Sequence, residues 1–167
     1  MCKAGKILTG SRMGISKKVI VALALIATPE VEASEDRLKD LQCLAKNIYF
    51  EGRDQPWVGQ VAIAQVTLNR VDSALFPSTI CDVVKQEKRN ICQFSWYCDG
   101  KSDQPKDLEG YEKATDVAIQ VYSGTIPDVT EGALWYHATY IRPPFWAHSF
   151  QETVRINEHI FYKRPRR

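Results

Sequence analysis

The chain has 167 residues, 44% of them hydrophobic and 25% charged, with a formal net charge of +2. That length accommodates a single domain. A composition this close to the globular average excludes a wholly disordered chain and a multi-span membrane protein.

The slight basic excess belongs to the N-terminal end. Lys3, Lys6, Arg12, Lys17 and Lys18 precede the first acid at Glu30, and the nine apolar residues Val19 to Ala27 lead into Val31-Glu32-Ala33. A basic flank, a short apolar run and small residues at a cleavage position read as a secretory signal over residues 1–33, cut after Ala33. The run is too short to span a bilayer, which takes about 20 residues. An uncleaved anchor is the competing reading. Removing residues 1–33 takes five of the 22 bases and two of the 20 acids, leaving 17 against 18. A mature domain over residues 34–167 is then near neutral. Nucleic acid is not the expected partner, because its binding rests on clustered Lys and Arg. Lys163-Arg164-Pro165-Arg166-Arg167 reads as a solvated basic end, with a wall- or lipid-binding patch as the competing reading.

The first mature helix is predicted from Ser34 as N-cap through Leu38, Leu41, Leu44, Ala45 and Ile48 to Gly52. The second starts near Pro56 and buries Val58, Val61, Ala62, Ala64, Val66 and Leu68, ending at Asn69-Arg70-Val71. Gln60 and Asn69 on it read either as site residues or as buried polar ties to a loop. Pro77-Ser78-Thr79 opens a short helix through Val83-Val84, and residues 90–100 read as loop or hairpin. A fourth helix is predicted over Leu108–Tyr122, with Gly124 beyond its end. Then the character changes. Residues 133–136 and 154–156 are β-prone, and Pro143-Pro144 between them forbids helix. Helices first and a small antiparallel sheet in the second half make an α+β single domain.

Of the five cysteines, Cys43, Cys81, Cys92 and Cys98 remain after signal removal. An even set in an exported chain reads as two disulfides, with three pairings open. The irregular gaps and the lack of a Cys-x-x-Cys pair speak against zinc.

Glu51 is the carboxylate best placed for chemistry. It ends the first helix between Phe50 and Gly52, where aromatic neighbours strip its hydration and favour the protonated form that a general acid needs. The plainer reading is a surface glutamate paired with Arg53. The stretches Leu44 to Arg53, Gly59 to Ala64 and Leu68 to Val71, then Cys92 to Trp96, Gly132 to His137 and Ile156 to Tyr162, together resemble the cell-wall hydrolase family that includes the spore cortex-lytic enzymes of germination. The blocks run in the family's order over nearly all of the mature chain. Two positions depart from the pattern: Asp54-Gln55 stands where Gly-Glu is common, and Asn157 replaces a frequent glycine. The second is mild, because Asn tolerates positive φ.

The resemblance implies a lysozyme-like, transglycosylase-like domain that cuts peptidoglycan at the N-acetylmuramic acid to N-acetylglucosamine β-1,4 bond, with Glu51 catalytic. It also implies that the glycan strand is the partner. Family members that are lytic transglycosylases close a 1,6-anhydro ring, which needs one carboxyl group where ordinary glycosidases need two. Asp54, Asp82, Asp99 and Glu158 are the other acids in view. Gln93, Ser95, Tyr136 and His137 are candidates for hydrogen bonds to substrate, and Trp96 and Trp146 for flat faces under sugar rings. Core packing is the alternative for the aromatics. A hydrolytic muramidase and a non-catalytic peptidoglycan-binding module are the other functional readings. His137 and His159 with an acid would suit a metal amidase only weakly, so no metal and no cofactor is expected. The protein is expected to be exported to the periplasm, envelope or exterior, to keep no membrane span after signal cleavage, and to be monomeric.

Overall fold

A computed structural model describes residues 29–165. The export segment read over residues 1–33 therefore lies outside the described residues, apart from 29–33. Those five open helix α1 (Pro29–Gly52), which begins before the Ser34 cap that the sequence suggested. The reason is local. Pro29 is pre-set for a first helical position, and Glu30 and Glu32 sit where the helix N-terminus favours negative charge. Ser34 continues the helix.

Helix α2 (Trp57–Val71) follows a tight turn, with Pro56 at the cap position. Thr79 caps the short α3 (Ile80–Val84) by accepting the Asp82 N–H. A minimal hairpin, β1 (Glu87–Lys88) and β2 (Ile91–Cys92), leads to a 3₁₀ turn at Ser95–Cys98. Asp107 caps α4 (Leu108–Tyr122) through the Gly110 N–H. After β3 (Trp135–Ala138) comes a second 3₁₀ turn at Phe145–Ser149, then β4 (Gln151–Ile156) and β5 (His159–Lys163). These three strands form an antiparallel sheet in the order β3-β5-β4. The helices-then-sheet order read from the sequence holds, and β5 is the strand that reading did not separate. Asn157 turns β4 into β5 at φ +49°, the conformation its residue type was expected to tolerate.

Helix α2 is the hub. Every residue from Gly59 to Thr67 is buried, because its opposite sides serve two cores. On one side Val61 and Ala64 meet Leu44, Ile48 and Tyr49 of α1, Val83 of α3, and Val117 and Val121 of α4. On the other, Ala62 and Val66 lie under Ala133 and Phe161 of the sheet region. Each large apolar side chain so buried contributes about 1.5–3 kcal/mol, which fixes α1 against α2. The approach is close at Gly52, where an added Cβ would come within 2.5 Å of Ile63 Cδ1.

Buried polar groups tie the layers. Asn47 donates to Thr67 Oγ1 at 3.1 Å and accepts from Trp96 Nε1 at 3.1 Å, joining α1, α2 and the first 3₁₀ turn. Asn69 donates to Asp128, Thr130 and the Ala133 carbonyl, and Gln60 to the Gln55 carbonyl. Both therefore serve as loop ties. The disulfides pair Cys43 with Cys81, linking α1 to α3, and Cys92 with Cys98, closing the loop that carries Trp96.

Candidate active site

Glu51 lies in the last turn of α1, whose packing against α2 and the sheet encloses one side of its carboxylate. The other side opens on a cavity of about 200 Å³ lined by Phe50, Asp54, Gln55, Tyr140, Glu158 and His159 among others. The plainer reading, a solvated glutamate paired with Arg53, does not hold: Arg53 instead lies 3.8 Å from Asp54 and over the Tyr49 ring.

Strand β3 brings the partner. Tyr136 donates its hydroxyl to Glu51 Oε2 at 2.9 Å. Beneath them lies Arg70 of α2, its Nε donating to the Leu134 carbonyl at 2.8 Å and its guanidinium held over the Phe76 and Phe94 rings at 5.2 and 5.0 Å. Its Nη1 is buried without a hydrogen-bond partner. A cation placed this way is stabilised by the ring faces and by the nearby carboxylate.

The titration of the three groups follows from that arrangement. Burial raises the Glu51 carboxyl, and the Tyr136 hydrogen bond and the Arg70 charge pull it partly back. Burial, then the Glu51 charge, holds the Tyr136 phenol well above its ordinary value, so it remains a donor. Burial lowers Arg70 to about 10, leaving it charged at neutral pH. Because Tyr136 donates to Oε2, the acidic proton of Glu51 is favoured on Oε1, free to be given away.

The remaining candidates divide. Trp96 stacks on Phe50 at 4.6 Å and lines a second cavity next to that of Glu51. Gln93 and Ser95 are exposed and do not line the Glu51 cavity; Gln93 borders a separate depression with Lys88 and Arg89. His137 and Trp146 lie on the opposite face of the sheet. His137 Nδ1 donates to the Ala138 carbonyl at 2.9 Å, its Nε2 meets the Tyr162 hydroxyl at 3.1 Å, and its ring stacks on Tyr162 with Trp146 against its edge. Strand alternation explains the split, since adjacent residues of β3 point to opposite faces.

Sequence reasoning passed over Arg70 and Gln55 as site residues and weighed His159 only as a metal ligand beside His137. Arg70 showed only as a helix-end residue. His159 lines the cavity, its ring edge-on to Tyr136 at 5.3 Å and its Nδ1 buried without a partner, and burial lowers its pKa so that it is neutral at neutral pH. Gln55, at one of the departures from the family pattern, donates to Glu158 at 3.2 Å across the cavity floor. The Asp82 carboxylate accepts the Thr79 hydroxyl at 2.8 Å in the first turn of α3, and Asp99 pairs with Lys101, so neither reaches Glu51. Glu87, Cys92 and Cys98 form the one close cluster of metal-type ligands among the described residues, but both its sulfurs are joined in a disulfide.

A mainly helical α+β domain with one hydrogen-bonded, desolvated carboxyl at a helix end beside a groove is a lysozyme-like architecture. The chain belongs to the cell wall hydrolase family, whose profile matches residues 54–162. The spore cortex-lytic enzyme of Oceanobacillus iheyensis is 32% identical over 137 residues, covering 81% of this chain and 46% of that protein. That of Bacillus cereus is 33% identical over 124 residues, covering 74% and 44%. The chain thus spans less than half the length of these curated relatives. It covers 91% of the solved catalytic domain of the Bacillus cereus SleB protein, at 32% identity and a TM-score of 0.58 over 75% of this chain. For the catalytic domain of the germination-specific lytic transglycosylase SleB from Bacillus anthracis the identity is 32%, the TM-score 0.60, and the coverage 74% of this chain and 93% of that one.

Proposed function

We propose that this domain cleaves peptidoglycan glycan strands at the N-acetylmuramic acid to N-acetylglucosamine bond as a lytic transglycosylase, with Glu51 as its acid and then its base. The observation that carries the reading is the raised, cavity-facing Glu51 carboxyl bound by Tyr136 and backed by Arg70. Glu51 gives its Oε1 proton to the bridging oxygen as the bond to muramic C1 breaks. The carboxylate left behind is stabilised by the Tyr136 hydroxyl and the Arg70 charge, which is the state these partners favour. The muramic C6 oxygen then bonds to C1 and its proton passes to Glu51. The acid is restored, the product carries a 1,6-anhydro ring, and no water is consumed. Similarity to proteins named as cortex-lytic enzymes and as a lytic transglycosylase supports this reading.

A hydrolytic muramidase is favoured by one specific observation: Asp54 and Glu158 border the same cavity, where either offers the second carboxylate that hydrolysis uses. Digesting purified peptidoglycan and weighing the muropeptides separates the two. Anhydro ends, one water lighter than reducing ends, support transglycosylation; reducing ends support hydrolysis. Binding without products supports a module that holds glycan only. Export fits a substrate outside the cytoplasm, with residues 1–33 as the signal and the monomer as the working form. No helix among the described residues is long and apolar enough to cross a membrane.

A further inference from the structure

Next to the Glu51 cavity lies a larger one of about 430 Å³, walled by Phe50 and Trp96 and rimmed by Arg53, Lys101, Lys106 and Asp99. Phe50 and Arg53 line both cavities, so the two adjoin at the end of α1. The charge of this second cavity does not suit bare sugar. Three cations face one acid. Asp99 is taken by Lys101 at 3.2 Å, and Arg53 is shared between Asp54 and the Tyr49 ring. The Lys106 ammonium meets no carboxylate within ion-pair distance among the described residues.

The lysine is also held in place. The buried Tyr49 hydroxyl accepts the backbone N–H groups of Lys106 at 3.2 Å and Asp107 at 3.0 Å, and Asp107 in turn caps α4. The loop is thereby pinned to the core, which fixes where Lys106 leaves the backbone. An unpaired cation on a pinned loop, one cavity away from the reacting bond, calls for an anionic part of the substrate. The rings of an N-acetylated glycan carry none. The carboxylates of peptidoglycan sit on the muramic side arm, either in the stem peptide or, where that is missing, on the lactyl group itself.

The geometry points to this cavity as a carboxylate-binding annex of the glycan site, in which Lys106, helped by Arg53 and Lys101, receives an acidic group on the muramic side arm. The inference rests on the glycan-cleaving reading above and adds a determinant of which glycan is taken. It makes the annex act on binding and leaves bond breaking to Glu51.

The test uses soluble, uncross-linked peptidoglycan chains in three forms: intact, with all carboxyl groups amidated, and freed of peptides by an amidase so that only the lactyl carboxylate remains. Amidation is expected to raise KM about threefold to tenfold with little change in kcat, the scale of one or two partly exposed charge pairs. Lys106→Gln is expected to raise KM for the intact chains and to remove the difference between intact and amidated forms. Peptide-free chains that keep the low KM identify the lactyl carboxylate as the ligand, whereas a KM like that of the amidated chains identifies the stem peptide; both uphold the site. Equal KM for intact and amidated chains with the unaltered protein overturns the annex while glycan cleavage stands. Failure to cleave any of the three forms overturns the functional reading itself, and the annex with it.

Discussion

The Tyr136 hydroxyl meets Glu51 Oε2 at 2.9 Å, joining β3 to the end of α1 across 85 residues of chain. Through this contact the small sheet partly offsets the burial that raises a helical carboxyl. Because Tyr136 favours the charged form of Glu51, its removal pushes the Glu51 pKa further up. A general acid is lost when it deprotonates, so the alkaline limb of the kcat/KM profile marks that pKa. Tyr136→Phe is therefore expected to move the alkaline limb to higher pH and to lower the maximal rate about tenfold, the scale of one hydrogen bond to a charged group. A limb that stays in place, read from a pH profile on soluble glycan, would show that Tyr136 does not tune Glu51.

Glu51→Gln is expected to abolish cleavage and keep the fold. The stability difference carries a sign. A carboxyl whose folded pKa lies above its unfolded value stabilises the protein below the unfolded pKa and loses that contribution as pH rises through the folded pKa. Glutamine carries no such dependence. The Tm of Glu51→Gln minus that of the unaltered protein should accordingly grow from pH 4 to pH 8. Calorimetry showing a constant or shrinking difference would contradict a raised Glu51.

Arg70 is expected to matter to both stability and titration. Arg70→Met leaves the partly buried Leu134 carbonyl without this donor and removes the cation from over Phe76 and Phe94. The cost is about 2 kcal/mol or more, measured by denaturant unfolding. With its charge gone, the Glu51 pKa rises further, so the alkaline limb moves in the same direction as for Tyr136→Phe. An Arg70→Met protein as stable as the parent and with its limb unmoved would make the guanidinium a bystander.

What could be read in advance follows from how far apart the interacting residues lie. Helices α2 and α4 show in the sequence because their apolar residues recur at helical spacing, and Glu51 shows because its flanking aromatics are its chain neighbours. Strand β5 is buried along His159–Tyr162 and lacks the alternation that marks a half-buried strand. Tyr136 and His137 look equivalent in sequence, yet the strand sends one to Glu51 and the other to Tyr162. Arg70 was passed over for the same reason. A cation at a helix end reads as solvated until the Phe76, Phe94 and Leu134 contacts, which depend on the whole fold, bury it.

The two disulfides should separate stability from binding. Cys43–Cys81 closes a loop of 38 residues between α1 and α3, and replacing both cysteines by alanine is expected to cost about 3 kcal/mol. Cys92–Cys98 spans 6 residues and constrains the unfolded chain less. Its loop carries Trp96, which is anchored to Asn47 and stacked on Phe50. Losing this second bridge is expected to give the smaller fall in Tm and the larger rise in KM. The reverse order would remove Trp96 from the substrate groove.

Glu158 decides between the two chemistries. It is exposed at the β4–β5 turn, next to the positive-φ Asn157, and it accepts a hydrogen bond from Gln55 at 3.2 Å. In the transglycosylase route the C6 hydroxyl of the substrate supplies the nucleophile, so a second carboxylate has no proton to take from water. Glu158→Gln should then hold kcat within about threefold, since only a surface hydrogen bond changes, and the products should keep their anhydro ends. In a two-carboxylate hydrolysis the same change removes a base or nucleophile and lowers kcat by at least about a hundredfold. Asp54→Asn extends the test to the other acid of the cavity. If both variants retain their rate and yield anhydro products, Glu51 acts as the single catalytic carboxyl; if either loses its rate, the ring-closing route gives way to hydrolysis.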